Sequence, residues 1–148
     1  MMQKLSGRNL KAIRSFRRSL LDVVKTQSFK DATIAKKIDM LNKIALTKIE
    51  LDEPPEVQIA KKRFLLELQY VCISQSDNEL RLLKAVIAGY DKIGYPCPTR
   101  WGILRLDLAD ILDQRGRHDE AIKLREIVRN EYRRQGELVD SLILVRLS

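Results

Sequence analysis

Side chains able to do chemistry are few and scattered in this 148-residue sequence. His118 is the sole histidine. Beside a helix start, without a partner base or nucleophile, it reads as a packing or capping residue. Asp107, Asp110 and Asp113 recur every three residues, and steps of three drift around a helix. With no histidine or further carboxylate to close a metal site, they are expected to form a solvated or salt-bridged ridge. Cys72 and Cys97 stand 25 residues apart without histidine partners. That spacing suits neither a zinc site nor a disulfide framework, so both read as reduced thiols, Cys72 in a helix core and Cys97 in a loop. No phosphate-cradling glycine loop, Cys-x-x-Cys, His-Glu-x-x-His or Gly-x-Ser-x-Gly is present. The expectation is a protein that is not an enzyme and holds no cofactor and no metal.

Charge is more informative. Residues 1–49 carry 12 Lys/Arg against 3 Asp, a surplus of +9, whereas residues 50–148 carry 16 Lys/Arg against 17 Asp/Glu, a balance of −1. Such asymmetry points to an anionic partner for the first part. Arg8, Lys11, Arg14, Arg17, Arg18 and Lys25 form a basic stripe beside the apolar positions Leu10, Ile13, Phe16, Leu20, Leu21 and Val24. The stripe suits phosphates or an acidic protein surface. It has few interspersed Asn, Gln or aromatic side chains, which argues against sequence-specific reading, and Phe16 and Phe29 are assigned to the core.

The elements that position these residues read as helices throughout. Apolar residues are 45% of the chain, with only 6 Gly and 4 Pro, and no alternating β pattern occurs. Helical spacing runs over about 9–25. After a break at Thr26-Gln27-Ser28 it resumes over about 31–50, with Asp31 expected in the first turn. Asp52-Glu53-Pro54-Pro55 is the clearest breaker and coincides with the charge transition. Helices follow over about 56–74, 79–93, 100–115 (capped by Thr99) and 118–135, and a last short one over 137–147. Ser76-Asp77-Asn78-Glu79 is expected to cap the second of these. Trp101 and Tyr95 are expected to wedge hairpins together. Arg125, Arg129 and Arg133 form an i, i+4 row that pairs with neighbouring acids or the adjoining hairpin. No run of about 18 apolar residues is present, so nothing is expected to span a membrane. The N-terminus lacks a secretory apolar region, which with the Met1 start favours a natural beginning in a reducing, cytoplasmic setting.

Leu108-Ala109, Leu112, Gly116, Ala121 and Leu124 describe one helix ending at a glycine and a second packing back on it, with Ala109 and Ala121 allowing close approach. A weaker counterpart of the Gly116–Ala121 junction lies 41 residues earlier, at Gln75-Ser76-Asp77-Asn78-Glu79-Leu80. On these residues, the segment 100–134 resembles a tetratricopeptide repeat. The resemblance implies stacked antiparallel helix pairs with a concave protein-binding groove and no catalysis. It places Ile103, Leu106, Asp110 and Asp113 along that groove.

The expected architecture is therefore all-α, antiparallel helical hairpins stacked as a short superhelix. Residues 1–148 form a single helical domain, with a basic helix pair at 1–51 and two repeat-like hairpins plus a C-terminal helix at 56–148. The expected function is non-catalytic protein binding, as an adaptor, chaperone-like factor or assembly factor. The alternative is nucleic-acid binding through the basic stripe. Homodimerisation would cover apolar end faces. Self-association or autoinhibition, with the basic helix lying on the aspartate ridge, would satisfy both charges in cis.

Overall fold

A computed structural model describes residues 6–135 together with Ile143, Arg146 and Leu147. Residues 6–135 form seven α-helices and no strand: α1 (Gly7–Val24), α2 (Gln27–Lys30), α3 (Ile34–Lys48), α4 (Pro55–Ser74), α5 (Glu79–Ile93), α6 (Pro98–Gln114) and α7 (His118–Gln135). The expected helix over 137–147 lies largely outside the described residues, where Ile143, Arg146 and Leu147 are helical.

Local chemistry sets the ends. Ser6 starts α1 by accepting the Asn9 amide at 3.1 Å. The break at 26–28 is itself a helix start, because the Thr26 hydroxyl accepts the Phe29 amide at 3.2 Å and opens the single turn α2. Asp31 ends that turn instead of starting the next helix, and Thr33 caps α3 through the Lys36 amide. Pro55 occupies the first position of α4, where its missing N–H costs nothing. Before α5, Asn78 makes no side-chain bond to the helix, and the Ser76 hydroxyl accepts the Asn78 amide instead. Thr99 is not the cap of α6: Cys97 precedes the helix and Pro98 begins it. Gly116, at φ +76°, ends α6, with Arg117 N–H bonding Leu112 O at 2.8 Å and Gly116 N–H bonding Asp113 O at 3.0 Å.

Cross-helix contacts fix the directions. Arg8, Asn9 and Ala12 face Val57, the Lys61 ammonium lies over Phe16, and Arg17 lies over Phe64, so α1 and α4 run parallel. Ile59 faces Cys97 and Trp101, while Tyr70 bonds Asp107, so α4 and α6 also run parallel. Lys61–Lys48 and Gln69–Asn42 bonds make α3 antiparallel to α4. Tyr132 bonds Pro98 O while Arg125 reaches Asp110, making α7 antiparallel to α6. The helices thus form three successive up-down pairs, α1/α3, α4/α5 and α6/α7, with the leading helices aligned.

A continuous apolar core links these pairs, from Phe16 and Leu20 through Leu41, Leu65 and Leu83 to Ala109 and Ala121. It crosses the Pro54-Pro55 break. Phe16, Phe29 and Cys72 lie inside it. A second cluster joins Leu106, Val128, Tyr132 and Ile143. There Gly102 is obligatory for spacing: an added Cβ would come 2.5 Å from the Tyr132 ring.

Candidate functional site

The aspartate ridge of α6 is already neutralised. Arg125 on α7 contacts Asp110 at 2.9 Å and Asp113 at 2.6 Å. Arg146 contacts Asp107 at 2.9 Å and Asp110 at 2.8 Å. His118 closes the turn by placing Nδ1 2.9 Å from Asp113 Oδ1. The His118 ring, then the Arg125 guanidinium, hold the Asp113 carboxyl below the usual carboxylate range. Asp107 also accepts the Tyr70 hydroxyl at 2.7 Å. Burial, reinforced by that carboxylate, pushes the Tyr70 hydroxyl far above its ordinary range.

Of the four residues expected along a groove, Asp110 is exposed and Ile103 and Asp113 are half-buried. Leu106 is 1% exposed and packs with Val128 and Tyr132, so its role is packing between α6 and α7. Within the arginine row, Arg125 pairs with Asp110 and Asp113, Arg129 donates to the Leu147 carbonyl at 3.0 Å, and Arg133 is exposed. The ridge is therefore held by Arg125 and Arg146 rather than by the first helix.

The basic stripe has the opposite character. Ile13, Phe16 and Leu20 turn one face of α1 into the core. Lys11, Arg14, Arg18 and Lys25, at steps of three, four and seven, follow a line on the opposite face about 21 Å long. All four, with Arg8 and Arg17, are exposed, and none makes an ion pair among the described residues. Arg8 lines a cleft with Glu50, Asp52 and Glu53. Arg17 places its guanidinium 5.3 Å from the Phe64 ring centroid on α4. Cations left unneutralised on a rigid helix keep their potential directed at solvent.

Buried polar groups of α4 were not legible as such in the sequence. Lys61 donates to Glu53 at 2.6 Å and to the Lys48 carbonyl at 2.8 Å, tying the Pro-Pro loop to the ends of α3 and α4. Gln69, with no exposed surface, donates to Asn42 at 2.6 Å, and Asn42 fits because Gly89 on α5 lacks a Cβ. Burial pushes the Lys62 ammonium down. The signal available was a helix whose apolar residues point in too many directions for a single buried face, which is what contact with several neighbours produces.

The other chemically distinctive position is Cys97. Burial alone would push its thiol up. The Thr99 hydroxyl, the Arg100 amide and the charges of Arg100 and Arg63 outweigh that and bring it below its ordinary value. It lines a cleft with Tyr95, Pro96 and Trp101. Tyr95 stacks on Tyr90 of α5, Trp101 of α6 meets Tyr132 of α7 edge-on, and the Arg105 guanidinium lies over both Tyr95 and Trp101. Among the described residues no cluster of His, Cys, Asp or Glu is arranged to hold a metal ion, and no helix is long and apolar enough to cross a membrane. Comparison with protein-family models, curated proteins and solved structures finds no match.

Proposed function

We propose that this chain is a non-catalytic protein-interaction module, an adaptor or assembly factor, built from tetratricopeptide-like helix pairs. The observation that carries this reading is the contrast between two charged faces. The α6 aspartates are paired with Arg125 and Arg146, whereas the α1 cations are exposed and lack ion pairs among the described residues. A surface whose charges are internally matched gives an outside partner little electrostatic gain. An unmatched one steers and holds an acidic partner. The contact surface is accordingly the α1 side of the aligned leading helices, with Ile103, Asp110 and Asp113 forming the opposite, self-occupied end of the same groove.

Nucleic-acid binding is the second reading, favoured by the line of Lys11, Arg14, Arg18 and Lys25, which suits phosphates without further specification. The two readings separate in an affinity capture from native lysate run with and without nuclease. A stoichiometric protein that survives nuclease, and is lost with the triple variant Lys11→Glu/Arg14→Glu/Arg18→Glu, supports the adaptor reading. Recovery of nuclease-sensitive material alone overturns it.

A further inference from the structure

Resting on that reading, we infer that the occupant of the α1 surface is an acidic amphipathic helix, seated over the seam between α1 and α4. The seam is not purely cationic. Arg17 bridges it by lying over Phe64. One turn farther along α1, Leu21 is 41% exposed, and two turns beyond Phe64 on the parallel α4, Val71 is 55% exposed. Phe64 and Leu68 between them are half-buried against the core. On α1 the exposed cations Arg14, Arg17, Arg18 and Lys25 lie within two turns of Leu21, and on α4 the exposed acid Glu67 lies between Phe64 and Val71.

A helix laid in such a seam presents apolar residues at i, i+3/i+4 and i+7 to Leu21, Phe64 and Val71, and carboxylates to the arginines at the rim. Polyphosphate would use the cations and leave the apolar positions without gain. A second copy of this chain in an isologous contact would bring like charges together.

The test is fluorescence anisotropy of the full chain at physiological salt with three labelled probes: a glutamate-rich amphipathic helical peptide, a scrambled peptide of the same composition, and an RNA duplex. The patterned peptide is expected to bind about tenfold more tightly than the scrambled one. Leu21→Ser and Val71→Ser, at exposed positions and checked for helicity by circular dichroism, are expected to remove most of that difference. Arg14→Glu/Arg18→Glu is expected to abolish binding of both peptides. Equal binding of the two peptides, unaffected by Leu21→Ser, overturns the inference and leaves the acidic-partner reading standing. Tighter binding of the duplex than of either peptide overturns the inference in favour of phosphate. Binding of none of the three overturns both the inference and the reading beneath it.

Discussion

Replacing Lys61 by methionine removes one ammonium while keeping an unbranched side chain of similar length. In the native protein that ammonium reaches Glu53 at 2.6 and 2.8 Å and the Lys48 carbonyl at 2.8 Å. The paired side chains are 8% and 13% exposed. The ammonium also lies 5.5 Å from the Phe16 ring centroid, so it connects α1 to α3 and α4. Breaking a buried pair by deleting one partner typically costs about 3–5 kcal/mol, because the remaining charge stays desolvated. Glu53 keeps one bond, from the Glu50 amide at 2.8 Å, and methionine packs well against Phe16, which places the expected loss near the lower end, at about 3 kcal/mol. For an m-value of about 1.5–2 kcal/mol/M, the urea midpoint followed by circular dichroism falls by about 1.5–2 M. Adding Glu53→Gln removes the stranded charge and should recover more than half of the loss. A loss below about 1 kcal/mol, or a double variant no more stable than Lys61→Met, would refute the assignment of a buried, structural ion pair.

Other consequences are equally direct. Gly102→Ala drives a methyl group into the Tyr132 ring, 2.5 Å away. With the ring buried, overpacking falls in the upper part of the usual range of about 1–3 kcal/mol and exceeds the helix-propensity gain of about 1 kcal/mol, so the melting temperature drops by several degrees; Gly7→Ala, with nothing within 4 Å, leaves it unchanged or raised. Cys97, half-buried and with its thiol held down, reacts with iodoacetamide near neutral pH well before Cys72, whose thiol burial pushes up; equal rates would contradict the Cys97 environment. Burial, then the Asp91 carboxylate, pushes the Tyr95 hydroxyl up to about 12. The unfolded chain thus releases this proton from about pH 10 while the folded chain retains it, so the Tyr95 contribution to stability is constant below that pH and is lost as pH rises from about 10 to 12. Urea midpoints at either end of that range, with Tyr95→Phe showing the smaller fall, check the sign.

Among the helices following the Pro-Pro break, α5 and α6 were the most legible because they end in strong signals. Positive-φ glycines stop α5 and α6, and apolar spacing is clear in α5. Ala109 and Ala121 are both fully buried, as the hairpin pattern implied. Legibility failed where side-chain roles depend on partners distant in sequence. Thr26 looked like a breaker and is a cap, since its hydroxyl bonds an amide three residues on. Cys97 took the place expected of Thr99 because the following proline favours the first helical position. Leu106 looked available on a groove-facing stripe, but its burial comes from α7 and Ile143, the latter 37 residues away. The aspartate ridge was visible as a charge pattern, while its neutralisation comes in part from Arg146, far along the sequence. The α1 stripe was the most legible part of the candidate surface, because a single helix carries both its apolar and basic faces.

If partners are held by α1 and its seam with α4, hydrogen–deuterium exchange of the full chain, alone and bound to a protein partner isolated after nuclease treatment, will register it. Exchange is expected to slow in α1 and in α4 around Phe64–Val71, with α6 and α7 unchanged. Protection confined to α6 and α7, with α1 exchanging as in the free protein, would rule out binding at that seam.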